Sequence, residues 1–144
     1  MQNGLWLWAM MISTQVGAIE APVAVSPASE KGLALIESRC PTFSWSSVAA
    51  AKSYELSVFR VDDQGRIPNG TPPMLRSELP ASSNSWTPSL DQCLQRGAFY
   101  AWTIRAHSGA AVSAWSPLRA IEVSPGIEQA EFERALAVVE RYLQ

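Results

Sequence analysis

Charge is scarce in these 144 residues: 17% are Asp, Glu, Lys or Arg, and eleven basic against thirteen acidic side chains leave a net charge of −2 and a pI near 5.4. Without a basic excess the chain has no electrostatic footprint for nucleic acid, and without a basic face it has none for an anionic membrane surface. Histidine occurs once, as His107, and cysteine only as Cys40 and Cys93. That leaves few parts for a metal site or a nucleophile–base pair. No phosphate-cradling glycine loop is present, and no serine sits in a G-x-S-x-G elbow. No apolar run reaches the roughly 20 residues that a membrane-crossing helix needs. Apolar material is plentiful: 47% of residues are hydrophobic and six are tryptophan. That suffices for a core in a chain of one-domain length.

The longest apolar run, Gly4-Leu5-Trp6-Leu7-Trp8-Ala9-Met10-Met11-Ile12, lies at the N-terminus and is followed by Val16-Gly17-Ala18. An apolar stretch of about 7–15 residues ahead of small residues reads as a signal peptide over 1–18, although Met1-Gln2-Asn3 supplies no basic residue. A buried N-terminal segment is the competing reading. Removal of the leader implies a secreted or periplasmic chain with no membrane span.

From 21 to 123 short apolar alternations are broken by Pro, Gly, Ser and Asn, the rhythm of several short strands. Residues i and i+2 of a strand share a face. Phe43 and Trp45 therefore point inward together, as do Tyr54, Leu56 and Val58, and Tyr100, Trp102, Ile104 and Ala106. Residues 21–27 suggest a first edge strand with prolines at its ends. Residues 74–79 and 118–123 suggest two more, and Trp86-Thr87 sits in another, its tryptophan inward. Asp62-Asp63-Gln64-Gly65 opens a turn, so its adjacent carboxylates are turn residues rather than a catalytic pair. With Trp45, Trp86 and Trp102 used as core, only Phe59 and Phe99 face outward, too few for a sugar-stacking platform. His107 reads as a loop residue where the 100–106 strand ends.

The order of these motifs resembles a fibronectin type III or related immunoglobulin-like domain, a style shared with secreted bacterial domains. The matching parts are Pro41-Thr42-Phe43-Ser44-Trp45, then residues 51–58, then Leu94 six positions before Tyr100 with Trp102, Ile104 and Ala106 following. The resemblance implies an all-β, two-sheet antiparallel sandwich over 21–123. It also implies that Leu94 caps the core and that the Tyr100 hydroxyl bonds nearby backbone as a tyrosine corner. Cys40 and Cys93 would then lie at one pole, where a bridge closing 53 positions would add about 4 kcal/mol; two buried thiols are the alternative. Val112-Ser113-Ala114-Trp115-Ser116 resembles the WSxWS box of cytokine-receptor sandwiches with Val112 in place of the first tryptophan. It implies a clasp in which Arg105 stacks on Trp115, and no receptor role follows.

After Ser124-Pro125-Gly126, residues 127–143 contain no Gly or Pro and read as an amphipathic helix whose apolar stripe is Phe132, Leu136, Val139 and Leu143. Glu128, Glu131 and Glu133 favour its N-terminal half. That stripe needs a home: the sandwich itself, a second copy in self-association, or a further domain. The whole chain reads as a non-enzymatic exported module with no cofactor and no metal. It would bind another protein or a neighbouring domain, or act as a spacer, through sandwich loops or edge strands. The pole formed by 46–52, 80–84 and 107–114 is the best site. The alternative is a carbohydrate-binding accessory domain of a secreted hydrolase.

Overall fold

Alternation of apolar and polar side chains builds two sheets. The computed structural model describes residues 18–126 and 128–144. Strands run β1 Ala24–Ser26, β2 Leu33–Ile36, β3 Phe43–Trp45, β4 Ser53–Val61, β5 Leu75–Pro80, β6 Ser85–Trp86, β7 Phe99–Ser108, β8 Ala111–Val112 and β9 Arg119–Val123. A 3₁₀ turn covers Leu90–Gln92 and a helix, α1, covers Glu128–Tyr142. The small sheet has the order β1-β3-β6; the large one has the order β2-β9-β7-β4-β5, with β8 pairing β7. All pairings are antiparallel except β2 on β9, which is parallel.

The two sheets face each other as a sandwich. Phe43 and Trp45 on β3 meet Tyr54, Leu56 and Val58 on β4 and Tyr100, Trp102 and Ile104 on β7, all buried. Phe43 meets Trp102 edge-on with centroids 5.1 Å apart, and Trp45 tilts against Tyr54 at 5.6 Å. An aromatic buries about 150–250 Å², worth roughly 4–6 kcal/mol each at about 25 cal/mol per Å². Polar handles are mostly satisfied: the Trp102 indole donates to the Pro27 carbonyl at 2.8 Å, and the Val48 N–H donates to the Tyr54 hydroxyl. Trp45 Nε1 is buried without a partner, at a cost of about 1–3 kcal/mol.

Trp86 is half-buried rather than fully inward, because two-residue β6 sits at a sheet edge; its ring stacks on Phe43 at 6.1 Å. Phe59 and Phe99, expected outside, are also half-buried. Strand β2 was not anticipated, since Leu33-Ala34-Leu35-Ile36 is an unbroken apolar run without alternation. No described residue from Glu131 to Gln144 is buried and none joins the core, so this stretch of the helix is not packed into the sandwich core. The strands already fill both inner faces. The leader reading, with Trp6 and Trp8, lies outside the described residues apart from Ala18.

Candidate functional site

The outer face of the large sheet collects the chain's polar chemistry. Tyr54, Leu56 and Val58 fill the core, so the pleat sends Glu55, Ser57 and Phe59 outward. Register sets Glu55 opposite Arg105 on β7 and Glu78 on β5, with Ser57 opposite Arg76 and Ser53 opposite His107. Glu55 is 7% exposed. Its carboxylate accepts hydrogen bonds from Arg76 Nε at 2.9 Å and Arg105 Nε at 2.7 Å, and His107 Nε2 lies 2.9 Å away. A second Arg76 donor, Nη2, also reaches it. Burial alone would raise the pKa of Glu55. The bonds from Arg105, Arg76 and His107 outweigh burial and hold it at about 2, below its ordinary 4.5. A carboxylate ionised throughout the neutral range and already enclosed by donors ties three strands together; it is poorly poised to exchange protons.

Arg105 is covered on its other side by Trp115, 4.3 Å from guanidinium to ring centre, a contact worth about 0.5–2 kcal/mol. The segment carrying Trp115 is laced to β7 by two serines. Ser113 Oγ accepts from the Ala106 N–H at 2.8 Å and Ser116 Oγ accepts from the Ile104 N–H at 3.1 Å. Their own N–H groups donate to the carbonyls of Ala106 and Ile104. The 112–116 segment is thus a pseudo-strand, and the Arg105–Trp115 clasp is one rung of a longer zip.

Beside this ladder runs a groove of about 430 Å³, walled by Phe59, Ile67, Pro73, Trp115 and Leu118, with Arg76 at its rim. Trp115 is 38% exposed there and Leu118 49%. At one end of the sandwich the loops 46–52, 81–84 and 109–110 lie together. The Trp45 N–H donates to the Asn84 carbonyl at 3.0 Å and the Lys52 N–H to the His107 carbonyl at 2.7 Å.

Cys40 and Cys93 form a disulfide with Cα atoms 4.7 Å apart, a separation that suits the bond. Trp45, Tyr54, Leu94, Tyr100 and Trp102 are buried in the core. The Tyr100 hydroxyl accepts from the Gln95 N–H at 2.9 Å. Asp62 is a turn residue, its carboxylate accepting the N–H groups of Gln64 and Arg66. His107 is a correction: it belongs to β7, which runs to Ser108, and its ring joins Glu55 rather than a loop. Glu55 and Arg76 were not singled out from sequence. Their signal was present: opposite charges at outward positions of neighbouring strands, Glu55 and Arg105 directly opposite and Arg76 one pleat along.

Among the described residues no group of three or more His, Cys, Asp or Glu side chains could hold a metal, and no helix is long and apolar enough to cross a membrane. No family model matches the chain, and no curated protein matches it at a significant level.

Proposed function

We propose that this chain is a non-enzymatic, fibronectin type III-like binding or spacer module working outside the cytosol, which engages another protein through its loop pole and the adjoining outer face. The carrying observation is how the side chains of that face are spent. Arg76, Arg105 and His107 are each engaged with Glu55. Phe59, Trp115 and Leu118 remain at the surface as an apolar groove. An apolar strip rimmed by charge suits a protein contact. The strand order β1-β3-β6 against β2-β9-β7-β4-β5 supports the family resemblance, and the Cys40–Cys93 bridge agrees with an oxidising compartment.

The carbohydrate-binding alternative needs exposed, coplanar aromatics; Trp45 at 3% and Trp102 at 0% exposure weigh against it. The test is retention of proteins from the chain's own extracellular or periplasmic fluid, with affinity electrophoresis against soluble polysaccharides in parallel. A specific protein held by the unaltered chain is expected to be lost on Ala50→Arg/Ser82→Arg/Ala110→Arg, which crowds the loop pole, or on Leu118→Glu in the groove. Retardation by a polysaccharide that Trp115→Ala abolishes would replace this reading with the carbohydrate one.

A further inference from the structure

An edge strand exposes a row of unpaired N–H and C=O groups, and proteins ordinarily guard such rows with charge, proline, irregularity or brevity. Among the described residues five strands lie at a sheet edge, and four of them are guarded. Strand β5 carries Arg76 and Glu78 and ends at Pro80. Strand β1 spans three residues between Pro22 and Pro27 with an irregular register, and β6 and β8 are each two residues long. The fifth edge, β2, is four residues long and within that span has no charge, proline or irregularity. Leu33 is 44% and Leu35 63% exposed.

Its backbone has a definite polarity. The Ile36 carbonyl accepts from the Ser124 N–H beyond β9 at 2.8 Å, so even-numbered residues turn their polar groups toward β9. Leu33 and Leu35 therefore turn theirs to the open edge. Their side chains share the outer face with Ala120 and Glu122, which they oppose in register. Lys31 lies on that same side, lining a cleft with Leu33, Phe99 and Ala120, and exposed Glu37 follows β2 at the next odd position.

We propose that β2 is a self-pairing edge, which joins a second copy of this chain antiparallel across a two-fold axis at Ala34. In this register Leu33 meets the copy's Leu35, and each such pair exchanges two backbone hydrogen bonds. Lys31, in the turn that enters β2, and Glu37, just past its end, flank the paired segment, so each end of the contact brings a Lys31 beside the copy's Glu37. Shifting by one pleat toward the C-terminal end sets Leu33 against Glu37 and Lys31 against Arg39. The opposite shift sets Lys31 against Leu35. Only the central register satisfies both the charges and the leucines, and a two-fold antiparallel contact is closed and self-complementary. The pairing deepens the binding-module reading by naming the occupant of one edge, which lies apart from the loop pole.

Sedimentation equilibrium of the full chain across the micromolar to millimolar range tests it. A dimer is expected, and Leu35→Lys, a guard of the kind β5 carries, is expected to return it to monomer. Lys31→Glu is expected to weaken association about tenfold, because it creates like-charge pairs on both sides of the axis. Lys31→Glu/Glu37→Lys is expected to restore association, a rescue that a merely structural role for either residue would not give. As a readout of register, Ala34→Cys is expected to cross-link to its own copy on mild oxidation. A monomer throughout the range overturns the pairing and leaves the loop-pole test standing. So does a dimer that survives Leu35→Lys, or a charge swap without rescue.

Discussion

At residue scale, Glu55 governs how the sandwich answers to acid. Its pKa is lowered in the folded protein, to about 2 from an ordinary 4.5. A depressed acid stabilises the fold fully above its unfolded pKa and loses that stabilisation as pH falls through the folded value. The window is therefore about pH 4.5 down to about 2, and the contribution above it is at most roughly 3 kcal/mol. Arg76, at 63% exposure, is partly screened by water and reduces this. Urea unfolding of Glu55→Gln is expected to show lower stability at pH 7 and a flatter pH profile across that window. The two core tryptophans should also differ. Trp102→Phe leaves the buried Pro27 carbonyl without its donor, whereas Trp45→Phe removes an N–H that had no partner. Trp102→Phe is expected to be more destabilising by about 1–2 kcal/mol, measured by the denaturation midpoint at constant m-value.

At element scale, the Cys40–Cys93 bond ties the connection before β3 to the one before β7, where the Leu94 N–H also donates to the Arg39 carbonyl at 2.7 Å. Cys40→Ala/Cys93→Ala is expected to lose about 4 kcal/mol of unfolding free energy, most of it by releasing the unfolded chain. Long alternating strands were readable in the sequence because both their faces are specified: Tyr54-Glu55-Leu56-Ser57-Val58 states a period of two in its letters. Leu33-Ala34-Leu35-Ile36 states none, and only pairing with β9 makes it a strand. The pseudo-strand 112–116 was legible as a motif yet not as a zip, since a serine's letter does not say that its hydroxyl replaces a ladder bond. The Glu55 cluster escaped for a related reason. Its members come from three strands separated by up to 52 positions, and they meet only once register is known.

At the scale of the whole molecule, the described part of the helix contributes no residue to the sandwich core. All its described side chains from Glu131 onward are exposed. Removal of 127–144 is expected to shift the unfolding free energy of the sandwich by no more than about 0.5 kcal/mol, as for surface changes in general, checked by urea denaturation of the two lengths. The parallel pair β2–β9 has a further consequence, in mechanics. The chain enters that pair at Leu33 and leaves it at Val123, which lie at opposite ends because the strands run the same way. Tension applied to the two termini, once short β1 has peeled off, loads the rungs of this pair sideways and together instead of tearing them one after another. The bridge from Cys40 to Cys93 would then withhold 53 positions from extension, about 180 Å of contour at roughly 3.4 Å per residue. Pulled by its ends, the molecule would yield late and lengthen little, as a strap does rather than a spring.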